Sequence, residues 1–163
     1  MEDGWTRAVI ALGTNQGERE QLLTNAASDL RATEGVVVVA ESSVITTVAL
    51  TEHGYDDTAP AYLNQVIIIH TAWPPEHLLA RLQEIEQRHG RVRDGSQYAP
   101  RTLDLDIIDW GGVTLDTPGL TLPHPRAHER VFVLGPWAEI DPEAVIPGRG
   151  AVKTLLDQLE SSA

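Results

Sequence analysis

The succession of hydrophobic patterns along this chain predicts an α+β fold: a ferredoxin-like βαββαβ sandwich, a mainly antiparallel sheet with helices packed on one face, plus a C-terminal helix. Three observations carry the prediction. Apolar and β-branched strand segments are interleaved with two stretches of helical period. Their order is strand, helix, strand, strand, helix, strand, with shorter elements trailing. The 163 residues suit a single domain spanning 1–163, without internal repeat, low-complexity tract or linker.

"RAVIALG", Arg7 to Gly13, has the apolar density of a buried strand, and Gly13 opens the turn "GTNQGE". A helix follows from Glu18 to Ala32, because Leu22, Leu23, Ala26, Ala27 and Leu30 recur at helical spacing and Gly35 lies beyond its end. "VVVVAESSVITT" reads as one long strand. "VALTEHGYDDTAPA" is a polar loop of a length that in a compact domain usually serves function. "YLNQVIIIHT", Tyr62 to Thr71, is a strand, and "PPEHLLARLQEIEQRHG" a helix with prolines at its start and Gly90 at its end. Leu78, Leu79, Leu82 and Ile85 form its buried stripe. A second long loop, Gly90 to Thr102, leads into the strand "LDLDIIDW". A short helix around Val131 to Ala138 and a last amphipathic helix bearing Val152, Leu155, Leu156 and Leu159 complete the chain.

Composition narrows the function. An apolar fraction of 42% and a charged fraction of 22% are those of a soluble globular protein, and no apolar run reaches membrane-span length. The absence of cysteine excludes disulfides, thiol catalysis and zinc-thiolate sites, and with no secretory signal pattern the expected location is the cytoplasm. A net charge of −12 argues against general binding to nucleic acid or anionic membrane. Against that background Arg88, Arg91, Arg93 and Arg101 cluster, with Asp94 the only acid among them, and Arg126 and Arg130 form a second group. Arginine's planar fork matches phosphate or carboxylate in bidentate fashion.

The stretch "YAPRTLDLDI" is the centre of the site. Leu103, Leu105 and Ile107 share one face of the strand, while Asp104 and Asp106 share the other, about 6–7 Å apart. Two like charges so placed call for a cation. Oxygen ligands with open positions suit Mg²⁺, which takes one or two carboxylates plus substrate phosphates. A solvated acidic face is the bland alternative, but the arginine loop enters this strand directly, and a cationic loop beside a dicarboxylate is what a metal-polyphosphate ligand needs. No P-loop, dinucleotide fingerprint or HExxH motif occurs, so a nucleotide here is held without them. Tyr62 and Phe132 offer rings for stacking, and Asn64, two residues from Tyr62 on the same strand face, an amide that reads a heterocycle edge, although most such residues are simply core. His124, between two prolines, stands out among the histidines; the tryptophans read as packing.

The strings "ALGTNQGE", "YLNQV", "IEQRHGRVR", "APRTLDLDII" and "LPHPRAHERVFVLGPWAEI" resemble, in order, those of the 6-hydroxymethyl-7,8-dihydropterin pyrophosphokinase family of folate biosynthesis. The resemblance runs from about residue 8 to 160 and implies transfer of pyrophosphate from ATP to the pterin hydroxymethyl group, releasing AMP, by a monomer that binds two Mg²⁺ ions. It assigns Asp104 and Asp106 to metal, and Asp104, Asp106 and Arg101 to catalysis. Gln83, Glu86, Arg91, Arg93, Arg101, Ile107, Thr121, His124 and Arg130 fall to ATP. Thr47, Leu50, Tyr62, Asn64 and Phe132 fall to the pterin.

The chain departs from the family pattern where "RWGPR" is usual and "QYAPR" stands. Gln97, Tyr98 and Ala99 replace an arginine, a tryptophan and a glycine. "TTVAL" and "GTNQG" likewise replace "RTxPxG" and "GSNxG". These changes predict altered loop closure with the chemistry kept, to be tested by Gln97→Arg and Tyr98→Trp in steady-state assays. Two other readings compete: a degenerate relative that binds ATP or pterin with little or no transfer, and a metal-dependent nuclease, which the acidic charge disfavours.

Overall fold

The computed structural model describes residues 4–15, 18–47, 49–51, 54–56, 61–89 and 103–162. Its elements are β1 (Thr6–Thr14), α1 (Arg19–Ala32), β2 (Val36–Glu41), β3 (Ile45–Thr47), β4 (Ala49–Thr51), β5 (Gly54–Asp56), β6 (Tyr62–Thr71), α2 (Pro75–Arg88) and β7 (Asp104–Trp110). They continue with β8 (Leu115–Thr117), β9 (Leu120–Leu122), a 3-10 turn at Ala127–Glu129, α3 (Val131–Ile140), β10 (Val145–Ile146), β11 (Gly150–Ala151) and α4 (Val152–Ser162). The main sheet runs β2-β6-β1-β7, with β3 continuing the β2 edge against β6, and its pairings are antiparallel. Each crossover helix therefore joins two parallel strands that are separated by one antiparallel neighbour, which is the ferredoxin-like arrangement.

Alternation along the strands sends apolar side chains to two cores. On one side Ala8, Ile10 and Leu12 of β1 and Ile67 and Ile69 of β6 meet Leu23 and Leu30 of α1 and Leu78, Leu82 and Ile85 of α2. On the other, Val9, Val66, Ile68 and Ile108 meet Val133, Leu134 and Trp137 of α3 and Val152 of α4. The expectation of helices on one face is thus corrected to helices on both. The physical reason is the run "VIIIH" in β6, where Val66 to Ile69 are all 0% exposed. A strand apolar on successive residues cannot leave a face in water. Without α3 and α4, the bare side chains of Val66 and Ile68 would each forgo about 1.5–3 kcal/mol of burial.

The long strand expected from Val36 to Thr47 is broken. Register shifts between Val38 and Ala40, and beyond Glu41 the ladder is carried by Ser42. Its N–H donates to the Val66 carbonyl at 2.9 Å, its hydroxyl accepts the Val66 N–H at 2.9 Å, and its carbonyl accepts Gln65 Nε2 at 2.9 Å. One serine thus satisfies backbone groups that a continuous strand would have paired. Within the following loop, β4 and β5 pair as a hairpin rather than remaining irregular.

At the pole where β6 and β7 end, the Trp73 indole donates to the Glu34 carbonyl at 2.7 Å and Trp110 donates to the Trp73 carbonyl at 3.0 Å. Gly35, at φ +82°, leaves room for that indole; a Cβ there would lie 2.7 Å from Trp73 Nε1. The tryptophans at this pole pack, as their sequence positions suggest. The opposite pole is left for the site.

Candidate active site

At that opposite pole the antiparallel register lines up residues from four strands. Gly13 of β1 pairs with Asn64 of β6 on one side and Asp104 of β7 on the other, while Ala11 pairs with Val66 and Asp106. Ile45 and Thr47 of β3 pair with Asn64 and Tyr62. Neighbouring strands are about 4.8 Å apart, so the Asn64 and Asp104 backbones stand roughly 10 Å from each other across Gly13. The small residues Ala11 and Gly13 keep the floor between them low. A Cβ on Gly13 would come within 3.3 Å of Asn64 Oδ1.

Asp104 and Asp106 are half-buried, while Leu103, Leu105 and Ile107 are in the core, so the alternation read from the sequence holds. Around the outer edge of β7 lies an open cleft of about 510 Å³. Gln83 and Glu86 of α2, Asp104, Asp106 and Ile107 of β7, Thr121 of β9, His124 and Arg130 all line it. It also takes Leu79, Pro125 and the β8–β9 hairpin from Thr117 to Leu120, which the sequence reading did not place there. The stripe Leu79, Gln83, Glu86, with spacing four then three, is the signal that α2 turns a second face toward β7. "TPG" in the hairpin is a turn signal, but gives no direction.

The electrostatics are built around Arg130. Two carboxylates about 6–7 Å apart repel by about 2.5 kcal/mol at an effective dielectric of about 20. Burial holds the Arg130 guanidinium below the ordinary arginine range, while the charges of Asp106 and, less strongly, Asp104 draw it back up. Arg130 is therefore, among the described residues, a cation that bears on both acids. Its guanidinium carbon also lies 5.6 Å from the Phe132 ring centroid, a cation–π separation.

His124 is fixed by three backbone contacts. Its N–H donates to the Ile108 carbonyl at 2.9 Å, its carbonyl accepts the Ala127 N–H at 3.1 Å, and its ring Nδ1 accepts the Arg126 N–H at 3.2 Å. An accepting Nδ1 leaves the proton on Nε2. Burial, then the charges of Arg130 and Arg126, push the imidazole pKa down to about 4. At neutral pH, His124 is an uncharged donor through Nε2.

Glu86 is 3% exposed, and its Oε2 accepts the Leu105 N–H at 2.8 Å. On the other side of Gly13, Asn64 is 6% exposed and its Nδ2 donates to Thr47 Oγ1 at 2.9 Å. Tyr62 begins β6, Phe132 packs on the second core, and Leu50 lies on β4 opposite Tyr55 of β5. Arg91, Arg93 and Arg101, with the divergent Gln97, Tyr98 and Ala99, lie outside the described residues.

Among the described residues no group of three or more histidines and acids could hold a metal ion by itself. The aspartate pair would offer hard oxygen ligands and leave most positions of an octahedral ion to water or to substrate phosphate, a donor chemistry that fits Mg²⁺ and not a soft or closed site.

An acid pair beside an arginine and a neutral histidine, on one cleft of a ferredoxin-like sheet, defines an α+β enzyme of the polyphosphate-handling class. The family model of 7,8-dihydro-6-hydroxymethylpterin-pyrophosphokinase (HPPK) matches residues 9–142. The chain is 42% identical over 133 residues to the 2-amino-4-hydroxy-6-hydroxymethyldihydropteridine pyrophosphokinase of Bacillus subtilis, covering 82% of this chain and 77% of that one. To the enzyme of the same name from Methylorubrum extorquens it is 37% identical over 157 residues, with 96% of each covered. The chain belongs to the HPPK family. Its fold is also similar to that of wild-type HPPK-DHPS of Plasmodium falciparum with pteroate, at a TM-score of 0.75 and 14% identity, over 99% of this chain and 43% of that longer one.

Proposed function

We propose that this chain transfers pyrophosphate from ATP to 6-hydroxymethyl-7,8-dihydropterin, giving the pterin diphosphate and AMP, a step of folate biosynthesis. The observation that carries the reading is the register around Gly13. It sets Asn64, suited to reading a heterocycle edge, and Asp104, suited to binding a metal-triphosphate, on either side of one small residue.

In this reading Asn64, steadied by Thr47, binds the polar edge of the pterin, with Tyr62 and Phe132 against its faces and Leu50 beside it. Gln83, Ile107, Thr121, His124 and Arg130 receive ATP along the cleft, and Arg91, Arg93 and Arg101 join from the cationic loop. Asp104 and Asp106 would hold two Mg²⁺ ions, which when bound neutralise triphosphate oxygens and orient them. The pterin hydroxyl oxygen bonds to the β-phosphorus as the bond from that phosphorus to the α-phosphate oxygen breaks. AMP leaves, and the hydroxyl proton is lost. Arg130 stabilises charge on the transferring group, and His124 Nε2–H donates to a phosphate oxygen; both act by preorganised placement. The chain acts as a monomeric, single-domain cytoplasmic protein. Among the described residues no helix is long and apolar enough to cross a membrane.

The test is release of AMP from Mg-ATP with and without the pterin, in the wild-type chain and in Asp106→Ala. AMP should appear only with both substrates and fall at least about a thousandfold in the variant. Binding of either substrate without AMP formation, or release of ADP instead, overturns the proposal.

A further inference from the structure

Glu86 is an acid buried on a helix that faces an edge strand. Among the described residues, β7 has β1 on one side and no strand of the main sheet on the other. An outward N–H on such an edge is costly when it is buried without an acceptor. Leu105 is 3% exposed, and the acceptor for its N–H is Glu86 Oε2 at 2.8 Å. The side chain of α2 thus takes the place of a strand neighbour on that edge.

The position of that bond matters more than its strength. Leu105 is the residue between Asp104 and Asp106, so fixing its N–H fixes the plane of the Asp104–Leu105 peptide. That plane bears on the spacing and aim of the two carboxylates that flank it. β7 is the more in need of it because its register against β1 shifts between Val9 and Ile10, close beyond the acid pair. Extended strands flex readily at an edge, and a site that binds an octahedral ion tolerates little error in ligand placement.

We propose that Glu86 is a positioning residue for the aspartate pair, holding Asp104 and Asp106 in their metal-binding spacing through the Leu105 amide. This rests on the reading of that pair as the metal site. It differs from a direct contact with the nucleotide, the role the family resemblance implies, because the atom it grips belongs to the strand.

The experiment compares wild type, Glu86→Gln and Glu86→Leu in three measurements. These are hydrogen exchange of the peptide covering residues 103–107, the Mg²⁺ concentration giving half-maximal AMP release, and binding of AMP without metal. Glu86→Gln keeps a side-chain oxygen as acceptor; it should stay within about threefold of wild type in exchange and Mg²⁺ requirement. Glu86→Leu should exchange faster at Leu105 and need at least about tenfold more Mg²⁺, as loss of an outer-shell partner does. If Glu86→Leu does not fold, Glu86→Gln alone decides, a tenfold rise in its Mg²⁺ requirement overturning the proposal. It is also overturned if the leucine variant matches wild type in exchange and Mg²⁺ requirement, or if AMP binding falls while exchange does not change. Failure of wild type to release AMP would instead overturn the pyrophosphokinase reading, and leaves the exchange result to judge the clamp.

Discussion

Arg130 stands over Phe132, its guanidinium carbon 5.6 Å from the ring centroid, while its charge bears on Asp106 and Asp104. One side chain therefore joins the aspartate pair, through its charge, to Phe132, through its guanidinium face. Arg130→Lys keeps the charge but loses the planar fork, and Arg130→Met loses both. We expect kcat to fall about tenfold for lysine and about a hundredfold or more for methionine, with the pterin KM raised in both because Phe132 loses its cover. Steady-state kinetics with each substrate varied in turn measures this; a change confined to the ATP KM contradicts it.

Gly13→Ala probes the floor of the site. The added Cβ lies 3.3 Å from Asn64 Oδ1, tight enough to shift the amide by a few tenths of an ångström. The Asn64–Thr47 bond strains with it. The pterin KM should rise about tenfold, since misplacement by about 1 Å costs about a hundredfold, with the ATP KM within twofold of wild type. Equal effects on both substrates would place the damage elsewhere.

His124 gives a pH signature. Its folded pKa of about 4 is below the ordinary histidine value near 6.5, so the unfolded chain takes up a proton before the folded one does. Stability from this group is complete above about pH 6.5 and declines as pH falls toward 4. Urea unfolding at pH 7, 6 and 5 should show a steeper loss in wild type than in His124→Asn, which cannot titrate. Parallel curves would show that the imidazole is not held neutral.

Gly35→Ala separates stability from chemistry. At φ +82° with Trp73 Nε1 2.7 Å from the added Cβ, it should cost about 1–3 kcal/mol and lower the melting temperature by about 4–10 °C. The clip is at the far pole from Asn64 and Asp104, so kcat/KM below the transition should not change. A loss of turnover in the folded variant would indicate coupling between the poles.

These expectations rest on features that were unevenly legible in the sequence. β6 was readable to both ends, from Tyr62 to Thr71, because an apolar run bounded by polar and turn residues leaves little freedom. The same run carried the evidence for two covered faces, yet α3 is short and apolar on most sides, and the amphipathic stripe of α4 does not say which face of the sheet it covers. The break at Ser42 was hidden because a hydroxyl replacing a ladder partner has no periodicity. The aspartates were found through alternation, and His124 through its flanking prolines, but the grip of Glu86 on Leu105 depends on the placing of α2 against β7. The β8–β9 wall is made of strands of three residues, which leave no pattern to read.

The second apolar face of the sheet has a consequence for biosynthesis. In chain order the main strands are complete at Trp110, ahead of α3 and α4. A chain stopped between them would carry Val9, Val66, Ile68 and Ile108 without a lid, the kind of exposed surface that recruits chaperones and aggregates. Release ahead of Arg130 would leave that sheet face uncovered and the cleft without its arginine, so quality control and chemistry await the same last segment.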